Sequence, residues 1–499
     1  MRNGTRRAFL KGTVGVIGGA SVATGSAVAA GEGETGRFLI NLREVAEDEI
    51  PDDVEIVHDL SAADVLVARG DQSRVGGAAA TAPDVEIDLS DDESGAVVEA
   101  EGPDAAGDSA SHNHDGPASN TELQWDKRAQ NLSNELTDKP DEGNTVHDTA
   151  TGEGTRVAVV DSGVDDSHPD LDGVVNAELS TNLTGDGLDF RPNGAGSHGT
   201  HVAGTIAATN DNDGPAGGVL GTAPDTEIVA YRMFSGLQGF AGDGLLGWQL
   251  AAEAGCDVIN YSVGYTVSDT VAYPSLIALE RIISQVASYV RSQGTVIVNS
   301  AGNASLDMDA ENTLCLPAEA DGVFGVSATG PLGFSWGDKQ DDNEEKWLTG
   351  DRLAEPTTDP APYTNYGSAV DVSAGGGNYD LEAIQDGIEA AYNDLVYSTV
   401  NVPGPDGEQT ASYGWKAGTS MAAPQVSGAV ALVRSLNPDA SVDEVESLIQ
   451  ETASVPDEGE TYHGAGHLDL EALVKAASDG GGNAGGGNRG NGNGKGKGQ

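Results

Sequence analysis

The sequence predicts an α/β fold, a mostly parallel sheet flanked by helices, preceded by a small α+β unit. Three observations carry that expectation. Apolar runs short enough for buried strands, Arg156-Val157-Ala158-Val159-Val160 and Thr295-Val296-Ile297-Val298, alternate with helical stretches between about Thr121 and Ser478. Such alternation is the pattern of strands joined by helical crossovers. A long apolar helix from Val426 to Leu436 follows Gly418-Thr419-Ser420-Met421-Ala422-Ala423-Pro424, whose proline is tolerated in an opening turn. Ahead of this domain, residues 36–89 carry strand-like segments of their own: Arg37–Leu42, Val54–Val57 and Val85–Leu89, with Ala62–Ala68 between them.

The flanking segments read differently. Thr5-Arg6-Arg7-Ala8-Phe9-Leu10-Lys11 precedes a glycine-diluted apolar stretch ending in Ala27-Val28-Ala29-Ala30. Twin arginines, weak hydrophobicity and small residues before a cleavage point make residues 1–30 a Tat export signal; a Sec signal or a membrane anchor competes. No other stretch approaches the ~18 apolar residues of a membrane span. Residues 90–120 are rich in Asp, Glu, Gly, Ala and Ser, the composition of a flexible linker. His112 and His114 within it read as solvated residues rather than metal ligands. Residues 479–499 are mostly Gly, Asn and Lys with almost nothing to bury, and are expected to be disordered.

Composition narrows the partners. Among 499 residues, 80 Asp and Glu outnumber 25 Lys and Arg, a formal charge of -55. Such a surface repels nucleic acid and anionic membranes. Disorder would predict few apolar residues and blocks of like charge. The hydrophobic fraction is 38% and the carboxylates are scattered among strands and helices, so a folded protein built for concentrated salt is the better reading. At low salt its self-repulsion is unscreened and destabilising. Cys256 and Cys315 are the only cysteines, so the core rests on burial and not on a disulfide framework.

Three segments carry the chemistry. In Val157-Ala158-Val159-Val160-Asp161-Ser162-Gly163 an apolar strand ends on a carboxylate, at the edge where open α/β sheets place their sites. Alone, Asp161 could equally serve a metal or a phosphate. In Gly196-Ser197-His198-Gly199-Thr200-His201-Val202-Ala203-Gly204-Thr205 two histidines open an Ala/Val/Ile helix. A zinc pair competes here, without the H-E-x-x-H spacing or its glutamate. In the third segment Ser420 stands at a helix N-terminus, whose dipole favours developing negative charge; a plain N-cap serine is the bland alternative.

Taken together, these motifs, in the chain order Asp, His, Ser, resemble the subtilisin-like (S8) serine proteases over roughly Thr121–Ser478, and the acidic composition resembles the secreted halolysin-like type of halophiles. The resemblance implies peptide-bond hydrolysis through an acyl-enzyme. Asp161 would orient His198, and His198 would take the proton of Ser420. His201 would be structural. Asn303, in Val298-Asn299-Ser300-Ala301-Gly302-Asn303, matches the oxyanion-hole amide. Val258-Ile259-Asn260-Tyr261-Ser262-Val263-Gly264 looks like the segment that pairs with extended substrate, with Ser262, Val263 and Gly264 in the S1 wall, which implies broad specificity. Counting back from Pro317, Cys315 falls at the S1 floor and would favour Leu- or Met-sized P1 residues; a buried core cysteine is the equal alternative. Asp170 matches a structural calcium ligand, with Asn210-Asp211-Asn212-Asp213-Gly214 nearby, although such a run also suits a solvated turn. Residues 36–89 sit where the family carries an inhibitory propeptide. Gly333–Pro362 and Asn378–Asp394 exceed a minimal subtilisin and read as surface insertions. The expected partners are polypeptide substrates and the chain's own propeptide, with the enzyme a monomer outside the cell. An inactive peptide-binding homologue and a dedicated precursor-processing protease are the rivals, and a surface-structural protein is a more distant one.

Overall fold

The computed structural model describes residues 36–77, 79–89, 123–136, 144–194, 197–210, 218–267, 275–332, 358–380, 384, 389–403, 409–456 and 459–481. The expected export signal, the 90–120 linker with His112 and His114, Asp211–Gly214 and most of Gly333–Pro362 lie outside these residues.

In the N-terminal unit, β1 (Arg37–Asn41), β2 (Glu55–Leu60), β3 (Val65–Arg69) and β4 (Thr81–Pro83) form an antiparallel sheet in the order β2-β3-β1-β4. The two-residue period of β1 buries both of its faces. Phe38 and Ile40 pack with Leu66, Ala68 and Val75 in the unit's own core, while Leu39 joins Val65 and Val67 against the large domain. The helical part expected here is reduced to 3-10 turns at Glu47–Glu49, Ser61–Ala63 and Gln72–Arg74. The Ala62–Ala68 stretch splits because Asp64 turns left-handed at φ 57°, after which the β-branched Val65 and Val67 favour a strand.

β5 (Glu86–Asp88) leaves this sheet and pairs elsewhere. The large domain begins with α1 (Trp125–Ala129) and continues through β6 (Arg156–Asp161), β7 (Thr181–Asn182), α2 (His198–Ala207), β8 (Glu227–Arg232), β9 (Phe234–Ser235) and β10 (Gln238–Phe240). Next come α3 (Ala241–Glu253), β11 (Val258–Tyr261), β12 (Tyr265–Val267), α4 (Ser275–Ser292), β13 (Val296–Ser300), β14 (Leu314–Leu316), β15 (Phe324–Thr329) and β16 (Val372–Gly375). The hairpin β17 (Val396–Pro403) and β18 (Gln409–Lys416) leads into α5 (Thr419–Leu436), then α6 (Val442–Thr452), α7 (Glu460–His463) and α8 (Leu470–Gly481).

A seven-stranded parallel sheet, ordered β16-β15-β13-β11-β6-β8-β7, forms the middle layer. Along β6, Val157 and Val159 face α2 and α5, while Ala158 and Val160 face α3 and α4. Burial on both faces is why these strands read as unbroken apolar runs.

Three details depart from the sequence reading. α5 starts at Thr419, about two turns before the apolar run, so Pro424 lies inside it. Its missing N–H frees the carbonyl of Ser420, and the Ser262 hydroxyl donates to that oxygen at 3.0 Å. α8 extends to Gly481, past the expected end at Ser478. The described part of Asn378–Asp394 is packed rather than superficial: Asn378 N donates to Asp394 O, Tyr379 stacks on Tyr363, and Ala391 and Asp394 are fully buried.

Candidate active site

Each candidate residue sits at the end of an element. Asp161 is the last residue of β6, His198 opens α2, and Ser420 is the second residue of α5. The two helices lie on the same face of the sheet and pack against each other. Asp161 is wholly buried; its two oxygens lie 2.9 and 3.0 Å from Nδ1 of His198. Its Oδ1 also accepts the Ser162 N–H at 2.6 Å, and the Ser162 hydroxyl accepts the Gly199 N–H at 2.9 Å. Residue 199 must be glycine for this approach, since a Cβ would meet Gly163 O at 2.4 Å.

Ser420 Oγ donates to the carbonyl of Ser262 at 3.1 Å, and its backbone N–H belongs to the helical turn that has no intrahelical acceptor. The Asn303 amide is oriented by the same turn. Its Oδ1 accepts from both N and Oγ1 of Thr419 at 2.8 Å, and Thr419 Oγ1 accepts from Gly302 N. With the oxygen turned toward Thr419, the NH2 group points the other way.

His201 parts company with His198. Its Nε2 faces the carbonyl of Val396 at 3.1 Å, and burial holds the imidazole well below its ordinary pKa, hence neutral. Among the described residues no three His, Cys, Asp or Glu are grouped to hold a metal.

The Ser262–Gly264 segment is pinned by Asn299, whose Nδ2 donates to Tyr261 O at 2.6 Å and Val263 O at 3.0 Å. Its continuation, β12, pairs with β14 and sets Thr266 opposite Cys315. The Cys315 thiol is buried with Ala301, Met308 and Val370, and burial pushes its pKa up to about 12. Asp170 stands off from this group. Its buried carboxylate accepts Val219 N–H at 2.9 Å, and the missing Cβ of Gly218 makes room for it.

Sequence reasoning missed a second polar cluster, where the N-terminal unit meets the sheet's carboxyl edge. β5 pairs antiparallel with β10, and Leu89 N donates to Leu237 O. Arg37 donates to Asp84 and to Asp243 at 2.7 Å each, His58 Nε2 lies 2.7 Å from Asp243, and Asp84 caps α3 by accepting Gly242 N–H at 2.7 Å. Gly242 is shaped for this contact, because a Cβ would meet Val67 at 2.8 Å and Asp84 at 2.9 Å. Only the Gly-Asp pair opening α3 hinted at it, and partners up to 206 positions apart leave no local signal.

Residues 152–494, which contain Asp161, His198, Asn303 and Ser420, match the profile of the subtilase family, peptidase S8. The chain belongs to the subtilase family. This subtilase is accordingly a serine peptidase, a hydrolase. It is 31% identical over 370 residues to an extracellular protease of Xanthomonas campestris, a match covering 67% of this chain and 53% of that one. It thus spans about half the length of that relative. To subtilisin DY of Bacillus licheniformis it is 28% identical over 330 residues, 65% of this chain and 92% of the relative. A solved protease of Pseudoalteromonas arctica superposes with a TM-score of 0.54 at 29% identity, covering 72% of the subtilase and 98% of that structure.

Proposed function

We propose that this subtilase is a secreted endopeptidase that cleaves polypeptides through an acyl-enzyme at Ser420. The observation that carries the reading is the Asp161–His198 pair at the start of α2, a helix packed against α5, whose second residue is Ser420. Asp161 holds the His198 ring with Nδ1 protonated, which leaves Nε2 as the base. His198 takes the Ser420 proton as Oγ bonds to the carbonyl carbon, then gives it to the departing amine; water repeats the cycle and frees the acid. The Ser420 N–H and the Asn303 NH2 would receive the oxyanion, two donors fixed before the charge develops. Ser262–Gly264 would pair with the extended substrate. Cys315 would form the floor of that pocket, where a thiol in place of a smaller residue takes up room and favours Leu or Met at P1.

Calcium would be structural. Asp170 and the Asn210 amide oxygen, which already accepts Gly218 N–H at 3.0 Å, offer hard oxygen donors of the kind calcium takes. Export would follow the Tat-like leader, and one relative is named an extracellular protease. The salt-adapted reading rests on the formal charge of -55, and the enzyme would act as a monomer.

A direct test is a panel of peptide anilides assayed in multimolar NaCl. Cleavage should follow Leu and Met best and fade as salt falls below about 1 M, where carboxylate repulsion is progressively less screened. No hydrolysis at any salt would sink the reading; equal rates with and without salt would remove its halophilic part.

Residues 36–89 would act as the inhibitor, held on the large domain in part by β5, which adds a strand to β10. Docking should be proton-linked. Burial raises the Asp84 pKa to about 6, with Asp243 adding to it and Arg37 opposing. A carboxyl whose pKa is raised by docking binds its proton better when docked. Docking is therefore tightest below the ordinary carboxyl value near 4, weakens as pH rises through about 6, and is weakest above it. Two pH units correspond to about 100-fold in affinity. Inhibition of the processed enzyme by the released unit should weaken from pH 4.5 to 8, and Asp84→Asn should flatten that slope; a wild-type profile without slope would contradict the linkage.

A further inference from the structure

The hairpin between β17 and β18 carries buried polar side chains that the chemistry above does not use. Ser398, Thr399 and Asn401 are each at most 3% exposed, and all three engage the first turns of α2. Thr399 Oγ1 donates to Thr200 O at 2.7 Å, and Ser398 Oγ donates to His201 O at 3.0 Å. Thr200 Oγ1 donates to Asn401 Oδ1 at 2.9 Å, and the Val396 carbonyl meets His201 Nε2. The approach is so close that a Cβ on Gly204 would lie 2.1 Å from Thr399 Oγ1 and 2.7 Å from Ser398 Oγ. One strand of the hairpin is thus fastened to the helix that His198 opens.

The other strand leads to the serine. The ladder sets Val396 opposite Lys416, Ser398 opposite Gly414 and Thr399 opposite Tyr413. From Lys416 the chain reaches Ser420 in four residues, held on the way by Gly418 N donating to Gly376 O at 2.9 Å. A continuous path of hydrogen bonds and covalent backbone therefore runs from the His198 helix through the hairpin to Ser420.

We propose that Ser398, Thr399 and Asn401 are positioning residues: the hairpin is a spacer that fixes His198 relative to Ser420, while Asp161 fixes the same ring from the sheet. The carbonyls of Thr200 and His201 already accept intrahelical N–H groups. Removing the hairpin hydroxyls therefore leaves no orphaned backbone group, and the effect should fall on reaction geometry rather than on the fold. A misplacement near 1 Å costs about 100-fold in rate. The proposal rests on the triad reading, and its test fails separately from that reading.

The test compares Ser398→Ala/Thr399→Val, Thr399→Ser and wild-type enzyme on one peptide anilide, with kcat, KM and the acid limb of the pH profile measured. The double variant should lose about 10- to 100-fold in kcat with KM within about twofold. The acid limb should stay where it is, because the Asp161–His198 pair is untouched. Thr399→Ser, which keeps the hydroxyl, should retain wild-type kcat. If the double variant fails to fold, Ser398→Ala alone supplies the comparison and should still lower kcat with KM unchanged. An unchanged kcat in a folded double or single variant overturns the spacer role, as does an equal loss in Thr399→Ser. Activity surviving Ser420→Ala would instead overturn the triad reading itself.

Discussion

Ser420→Ala is expected to lower kcat by about 10⁶ while leaving the fold and the melting temperature essentially unchanged. The side chain removed makes one hydrogen bond, from Oγ to Ser262 O. The contacts that seat the head of α5 use other atoms: Ser420 O accepts from Ser262 Oγ, and Thr419 holds Asn303. Substrate binding and the oxyanion donors survive, so a residual rate above that of water should persist. If maturation is autocatalytic, the variant should also accumulate with residues 36–89 still attached. Steady-state kinetics on a peptide anilide, with intact mass as the second readout, decide it. A loss smaller than about 100-fold would mean that another group is the nucleophile.

How legible this molecule was depends on how far apart the deciding residues lie. β6 and β13 stood out because strands of a parallel sheet are buried on both faces and carry no polar alternation. The site motifs were legible for a related reason: close backbone approach demands small residues at fixed offsets, as Gly199 and Gly204 show. Pro424 reads as part of an opening turn, whereas here it lies in the second turn of α5, and the carbonyl it leaves free is satisfied by Ser262, 158 positions before Ser420. Ser398-Thr399-Val400-Asn401 gave no warning either. Read by the two-residue period it is a half-exposed strand, yet all four residues are buried. Its polar partners are helix carbonyls about 200 positions away. The charged contact of Arg37 and Asp84 with Asp243 was equally invisible. In a chain with so many carboxylates, two more at 84 and 243 carry no information until the fold sets them on either side of one guanidinium.

Asp161→Asn should reduce kcat by about 10⁴ with little change in KM. The expected mechanism of loss is a tautomer error. Asp161 Oδ1 accepts the Ser162 N–H at 2.6 Å, so an asparagine in the same place would keep its oxygen there. Its NH2 group would then occupy the Oδ2 position, 3.0 Å from His198 Nδ1. The oxygen, though 2.9 Å from Nδ1, is already taken by the Ser162 N–H, so Nδ1 is expected to accept from the new amide donor and the ring proton to move to Nε2. The nitrogen meant to take the Ser420 proton is then already protonated. The variant also lacks a negative charge to stabilise the imidazolium formed during attack. Because the site is buried and an amide has nearly the carboxylate's shape, neither the fold nor the peptide-binding segment should be disturbed, which is why KM is expected to hold. Saturation kinetics on the same anilide test this, with proton NMR of the His198 ring as an independent reading of the tautomer. A kcat within tenfold of wild type, or a ring still protonated on Nδ1, would show that Asp161 does not govern the proton on His198.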